Sequence, residues 1–283
     1  MKSFILTATF IVAASATVSA KSGTKVLANG YPYTQVPFTS VNIAHNSFWG
    51  ARLQAAREVT VPLAFSKCES EHRYKNFDMA AYTLKHPGHP GLQTPEWDVA
   101  KFMGFSFDDT DVYKTIEGAS YILQTYPDKK LKAYIDSVLN VVAAAQEPDG
   151  YLYTARTINP EHPHAWSGKK RWVKEEDLSH ELYNLGHMVD AACAHYQATG
   201  SHKFIDIARR YADCVCREVG SASGKTTVVP GHQIAEMALA RLYTLTGEKR
   251  YLDEAKYLLD FRGKTSFRNA YSQSHKPILE QYE

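Results

Sequence analysis

One short pattern occurs twice in this chain. Thr199-Gly200-Ser201-His202-Lys203-Phe204-Ile205-Asp206 is answered, at an offset of 47 residues, by Thr246-Gly247-Glu248-Lys249-Arg250-Tyr251-Leu252-Asp253. Ala208 and Ala255 fall in the same register, and Tyr126-Pro127-Asp128-Lys129-Lys130-Leu131 is a weaker third copy. Each copy closes one helix, turns on Gly or Pro, and opens the next. A helical hairpin repeated at this spacing cannot hide its apolar face alone, so it must stack on its neighbours. The chain is thereby restricted to an open helical solenoid or a closed α/α toroid.

Apolar spacing predicts the helices themselves: 47–66 and 69–83, 111–125 and 129–146, 175–198 with 202–219, and 231–246 with 249–261. Strand alternation is scarce outside 31–43, where Val36 to Val41 reads as an extended arm. Two long irregular segments break the helices. Residues 84–108 hold His86-Pro87-Gly88-His89-Pro90-Gly91 and Trp97, and residues 147–173 hold Asn159-Pro160-Glu161-His162-Pro163-His164-Ala165-Trp166 and Trp172. Loops of this length in a compact domain are often functional. Their aromatics suit one wall of a sugar site, and equally suit simple anchoring of the loops.

With 32 Lys and Arg against 30 Asp and Glu, the formal charge of +2 excludes a polyanion-binding or polybasic membrane-binding protein. Residues 1–20 read as a secretory signal peptide: a basic start, a short apolar run, then Val18-Ser19-Ala20. The mature chain is expected to begin near Lys21 and to be periplasmic or secreted, with no membrane association after cleavage. The four cysteines, Cys68, Cys193, Cys214 and Cys216, are too few for a disulfide scaffold. Cys214 and Cys216 would project about 200° apart on a helix and cannot bridge each other. Buried structural thiols are the expectation.

The segment Leu178-Ser179-His180-Glu181-Leu182-Tyr183-Asn184-Leu185-Gly186-His187 is the most informative. On a helix counted from His180, that residue shares one face with Asn184 and His187, while Leu178, Leu182, Leu185, Val189 and Tyr196 take the opposite face. A face with two His and one Asn but no Lys or Glu suits a polar cavity lining. Asn184 stands where the zinc-protease pattern H-E-x-x-H needs its second His, so that reading fails. In Val229-Pro230-Gly231-His232-Gln233-Ile234-Ala235-Glu236, Pro-Gly marks a loop-to-helix junction. His232 is expected in the first turn, with Glu236 one turn on, placed to fix its tautomer; the plainer alternative is a helix-start histidine with a local ion pair. Asp111 or Thr110 is expected to cap the helix after Asp108-Asp109. Arg73-Tyr74-Lys75-Asn76-Phe77 has no local physical explanation. Phosphate-loop, G-x-S-x-G and repeated C-x-x-C patterns do not occur.

Arg73 to Phe77, Asp111-Val112-Tyr113-Lys114 with Ile116-Glu117-Gly118-Ala119, Gln146 to Leu152, Ser179 to His187, and Pro230-Gly231-His232 together resemble the β-L-arabinofuranosidases of glycoside hydrolase family 127 and its sister family 146. The likeness runs from about Val36 to the last residue, and the loop 159–166 is similar to the family 146 side. The resemblance implies an all-α fold, an (α/α)6 toroid of which about eight of twelve helices are present. The corresponding division is a signal peptide at 1–20, an extended arm at 21–46 and a partial catalytic toroid at 47–283. It further implies retaining hydrolysis of non-reducing-end arabinofuranose from plant-type arabinose-containing glycans. A cysteine nucleophile, a glutamate acid/base and a zinc ion held by cysteines and a glutamate carry that reaction in the family. None of Cys68, Cys193, Cys214 or Cys216 occupies a matching position, so no catalytic or metal residue and no bound zinc is expected in this chain. The resemblance assigns His180 and His232 to sugar binding, with Asn76, Asp111 and His187 as weaker substrate contacts. Ile278 to Glu283 resembles the stretch before a third sugar-binding histidine. An incomplete ring would expose apolar flanks, so the chain is expected to be inactive and poorly soluble. The rivals are another α/α-toroid carbohydrate enzyme, a uronyl hydrolase or sugar epimerase, and a non-catalytic helical solenoid that binds glycan or protein.

Overall fold

Both copies of the repeated Thr-Gly pair do the same work. Gly200 and Gly247 take left-handed φ values of 70° and 72°, and their N–H groups donate to Tyr196 O and Tyr243 O at 2.8 Å. Glycine bears that conformation without a side-chain penalty, which ends each helix at a fixed residue. Thr199 and Thr246 then accept the N–H of Ser201 and Glu248 on their hydroxyls, starting the return helix. The third copy turns differently: Asp128 caps its helix by accepting from Lys130 and Leu131 N–H.

The computed structural model describes residues 35–88 and 102–264. The expected signal peptide, the first part of the arm, Trp97 and the segment 278–283 lie outside the described residues. Helix α1 (Phe48–Ala55) runs through one π-turn (Ala56–Thr60) into α2 (Val61–Ser70). Pro62 has no N–H to give and crowds the carbonyl four residues back, which accounts for the widened turn before it. There follow α3 (Arg73–Lys85), α4 (Asp109–Thr125), α5 (Lys129–Ala144), the single turn α6 (Thr154–Thr157), α7 (Glu181–Thr199), α8 (His202–Glu218), α9 (Ala235–Thr246) and α10 (Lys249–Phe261). The described residues contain no strand, only a bridge between Val219 and Thr226.

Two layers result. Helices α2, α4, α7 and α9 pack side by side in chain order, and α3, α5, α8 and α10 back them in the same order. Four hairpins of an all-α toroid are thus stacked as successive inner–outer pairs. Helix α7 is the central strut, with twelve of its nineteen residues buried between α4, α8 and α9. Leu182, Leu185, Met188, Phe204, Tyr211, Leu239 and Leu242 are wholly buried around it. Each such side chain contributes about 1.5–3 kcal/mol, so the α7 seam holds the arc together. Phe48, Trp49, Val59 and Leu63 on α1–α2 remain more than half exposed. All four cysteines are free; Cys68, Cys193 and Cys214 are buried and Cys216 is half-buried.

Three predicted boundaries move. The helix expected from 175 starts at Glu181, and the one expected from 231 starts at Ala235. Helix α4 opens at Asp109 with Asp108 at the cap position, so neither Thr110 nor Asp111 is the cap. In each case, side-chain bonds from elsewhere in the chain claim the preceding backbone.

The loop 147–173 is pinned to α8 by one guanidinium. Arg171 donates to Glu147 (2.6 Å), Asp149 (2.6 Å) and Glu218 (2.7 Å) while its side chain is only 17% exposed. Burial pushes the Asp149 carboxyl up, but the bonds from Arg171 outweigh it and leave the group below its usual range. Removing the cation would take the shared partner from the part-buried carboxylates of Glu147 and Glu218 and from the exposed Asp149. Arg171→Met is expected to lower unfolding free energy by about 3 kcal/mol, read as a shifted urea midpoint at neutral pH.

Candidate functional site

Phe107, His180 and His232 stand within the three residues before α4, α7 and α9, and their rings meet. The His180 and His232 centroids are 5.3 Å apart, and Phe107 lies 5.1 Å from His180. The three inner helices therefore begin at one end, and the site is built there from three different hairpins.

His180 is not on the helix. It holds the N-cap position of α7 in the left-handed region, φ 62°, which is uncommon for a residue with a side chain. A buried scaffold keeps it so. Tyr153 donates its hydroxyl to Ser179 O, Tyr211 donates to Glu181 O at 3.1 Å, and the Glu181 N–H donates to the Glu175 carboxylate at 2.6 Å. The Glu181 carboxylate accepts from Tyr151 (2.6 Å), Ser179 and the backbone of Trp172, itself left-handed at φ 69°. Burial, with Glu181 alongside, pushes Glu175 well above the usual carboxylate range. His180 Nδ1 lies 2.5 Å from Leu178 O. A carbonyl can only accept, so Nδ1 carries the hydrogen and Nε2 presents a lone pair.

His232 reaches it because Gly186 has no side chain. A Cβ there would stand 2.8 Å from Ile234 C and Ala235 N, so only glycine lets the start of α9 rest on α7. The expected help from Glu236 is not found. Glu236 pairs with Arg262 at 3.0 Å in a buried bridge, and Arg262 also donates to Pro230 O at 2.8 Å. The loop carrying His232 is thus fastened at Pro230, and Glu236 acts through Arg262.

Tyr183 is the hub that sequence reasoning missed. Its ring lies 4.5 Å from His187, 5.3 Å from His232 and 5.5 Å from His180. Lys114 of α4 donates to its hydroxyl at 2.9 Å and lies 5.0 Å from its ring centroid. The helical position of Tyr183, three after His180, was legible; its partner on another hairpin was not. Burial lowers the proton affinity of all three imidazoles, opposed at His180 by the Leu178 carbonyl. His187 falls to about 4 through burial and then Lys114, against the pull of Asp190. His232 is lowered by burial, Arg262 and Lys114. At neutral pH the site presents uncharged ring nitrogens, a phenol and one ammonium among aromatic faces, a donor and acceptor array suited to a neutral polyhydroxylated ligand. Deeper along the same wall, Arg241 of α9 bonds Asp190 of α7 at 2.6 Å and Gln197 at 2.8 Å, while Tyr121 donates to Glu117 within α4.

The remaining predicted residues separate. Asn76 is fully buried, and both ends of its amide are taken by the Met103 backbone, at 2.9 and 3.0 Å. It clamps the loop before α4 and offers nothing to a ligand. Asp111 accepts from Arg73 at 2.9 Å and faces a cleft of about 270 Å³ shared with Lys67, Cys68 and Lys114. Arg73 also bonds Asp108 at 2.9 Å, which explains a motif with no local rationale: its partners lie some 35 residues on. Asn184 is buried and donates to His180 O, so the polar face drawn from a continuous helix dissolves into one clamp and two ring-bearing positions.

Zinc donors are poorly represented. Among the described residues the single group of three is Asp149, Cys214 and Glu218, and Arg171 already bonds all three, at 2.6, 3.8 and 2.7 Å. Burial pushes the Cys193 and Cys216 thiols up to about 12. These residues do not fit the cysteine-rich zinc set that the resemblance implies.

The family model for the β-L-arabinofuranosidase GH127 catalytic domain matches residues 40–283. A non-reducing end β-L-arabinofuranosidase of Bifidobacterium longum subsp. longum is 42% identical over 164 residues, covering 58% of this chain and 24% of that protein. A solved GH127 β-arabinofuranosidase is 64% identical with a TM-score of 0.81, covering 90% of this chain and 38% of that one. A crystal structure of a GH127 β-L-arabinofuranosidase from Geobacillus stearothermophilus T6 gives 33% identity and a TM-score of 0.69, over 80% of this chain and 33% of its own. The chain spans about a quarter of the curated relative it matches.

The electrostatic role of Lys114 can be measured directly. Lys114→Met removes a cation beside two imidazoles, so His187 and His232 should bind protons more readily and titrate at higher pH. His195, held at about 4 by burial with Asp136 and Lys132 as its charged neighbours, should not move. Imidazole NMR titrations in which His187 stays put would contradict this account.

Proposed function

The chain belongs to the family of β-L-arabinofuranosidase GH127 catalytic domains, and on that premise we propose that its imidazole cluster holds the non-reducing-end L-arabinofuranose of an arabinose-containing glycan. The observation that carries the reading is the meeting of His180, Tyr183 and His232, from two hairpins, within 5.3–5.5 Å. In this reading His180 Nε2 accepts from a sugar hydroxyl. His232, half covered and uncharged, takes a second hydroxyl. The Tyr183 ring backs both imidazoles. His187, against the Tyr183 ring, stands as a weaker contact, and Asp111, in the neighbouring cleft that Lys114 also lines, as another.

Bond cleavage is assigned elsewhere. The cysteine nucleophile, the glutamate acid/base and the zinc ligands, which together would give hydrolysis with retention, are placed by this proposal outside the described residues. The polypeptide as it stands serves to bind and orient the sugar and is not by itself a catalyst. Zinc would keep the nucleophile deprotonated in the intact enzyme; no residue described here is proposed to hold it. Export through the signal peptide at 1–20 and action on plant-type glycans in the periplasm or outside the cell complete the proposal. No described helix is long and apolar enough to cross a membrane.

Two measurements test it. In NMR titrations of the 283-residue chain with methyl β-L-arabinofuranoside, whose ring is fixed as a furanose, His180→Ala and His232→Ala should each weaken binding about tenfold, one hydrogen bond at about 1.4 kcal/mol. Unchanged affinity in both variants would remove the basis for the site. Incubated with an aryl β-L-arabinofuranoside, the same chain should release no arabinose above the buffer blank. Turnover at an enzymatic rate would mean that the bond-breaking groups are among its own residues.

A further inference from the structure

Beside the imidazoles lies an aromatic surface that shares only Phe107 with the site described above. Phe105 is 53% exposed at the tip of the loop before α4. Its ring lies 5.3 Å from Phe107, tilted by 8°, and 5.5 Å from Trp166, tilted by 27°. Phe107 and Trp166 are 6.4 Å apart. The three centroids form a triangle rather than a column, with Phe105 and Phe107 nearly parallel and Trp166 inclined to them by 27° and 34°, which makes a stepped aromatic shelf. It is assembled from two loops more than fifty residues apart in the chain.

The shelf is rigid. The Asn76–Met103 pair holds the loop on one side, and the Phe105 N–H donates to Asp108 at 2.8 Å on the other. Ser106 donates to Leu178 O at 3.1 Å, and Thr110 donates to Phe107 O at 2.8 Å. On the opposite loop the Trp166 N–H donates to His164. A loose loop would fold an exposed phenylalanine inward to recover its hydrophobic burial. Here the backbone bonds hold it out, which is the arrangement of a surface that meets a partner.

Continuity selects the partner. Phe107 touches His180 at 5.1 Å and Tyr183 at 6.4 Å, so the shelf starts where the imidazole pocket ends. A glycan whose terminal sugar lies against the imidazoles must send its next residue out of that pocket. Sugars carry one face of C–H bonds, weakly positive, which complements the negative face of an aromatic ring. We propose that Phe105, Phe107 and Trp166 form a second subsite, stacking the apolar face of the sugar linked to the arabinose held at His180 and His232. This rests on the sugar-site reading above and extends it: the ligand is a chain of at least two sugars, and affinity for the second comes from stacking.

The experiment compares methyl β-L-arabinofuranoside with a disaccharide bearing β-L-arabinofuranose at its non-reducing end, each titrated into the 283-residue chain. The unsubstituted chain should bind the disaccharide about tenfold more tightly. Phe105→Ser should bring that ratio below about twofold while leaving methyl β-L-arabinofuranoside affinity unchanged, and Phe105→Trp should retain it. A ratio that survives in Phe105→Ser, or that is absent from the unsubstituted chain, overturns the second subsite and leaves the first intact. Equal loss of both sugars in Phe105→Ser overturns it too, since the ring would then be supporting the first subsite. If the unsubstituted chain binds neither sugar, the sugar-site reading itself fails.

Discussion

The close approach of α7 and α9 at Gly186 is the contact on which the site depends. Ala235 N and Ile234 C lie 2.8 Å from where a Cβ would stand. Real side chains do not tolerate such a separation, so any substitution must push the start of α9 outward. His232 lies three residues before that start, and its ring would leave His180 and Tyr183 with it. The buried Arg262, bound to both Glu236 and Pro230 O, ties the same loop from behind. One missing methyl group and one guanidinium therefore set the spacing of the imidazoles.

Beneath His180 the protein accepts local strain. Two left-handed residues, Trp172 and His180, bracket a run of turns, at about 1–3 kcal/mol each. What offsets this is a dense set of buried bonds in which Glu181 is the common acceptor and Glu175 accepts from the Ser179 hydroxyl and the Glu181 N–H. The construction orients a ring, since the strained backbone points the imidazole away from α7 and toward the space between hairpins. Rigid support of this kind is what a binding group needs if it is to hold a ligand without paying to order itself.

The polar wall continues down the inner helices. Arg241 links α9 to Asp190 and Gln197 on α7, and lies 3.4 Å from the Tyr121 hydroxyl on α4. Burial and the nearby Asp190 raise Glu117 above its ordinary value. Above that network the groups are neutral or aromatic apart from the Lys114 ammonium, and within it they are charged and paired. The ends of the inner helices are thus differentiated along one face: stacking and hydrogen bonding where the helices begin, cross-linking between helices further down.

Much of this architecture could be read directly from the chain. The Thr-Gly pairs determined where helices end, because a left-handed C-cap is a local event between residues four apart. The hairpin repeat determined that helices must stack in pairs, and the Pro-Gly-His and Ser-His segments identified the two imidazoles. What no local pattern contained was the choice of partner. Glu236 could have bonded His232 or Arg262, and burial beside Arg262 decided it. Asn76 read as a ligand contact until Met103, 27 residues away, took both ends of its amide. His180 read as helical because its φ is imposed by Tyr153, Tyr211 and Glu175, none of them its neighbours in the chain. Periodicity and capping arise from short-range sterics and are written in the sequence; the conformation and pairing of polar groups in a desolvated interior are settled by whichever long-range partner arrives, and only the tertiary structure decided those.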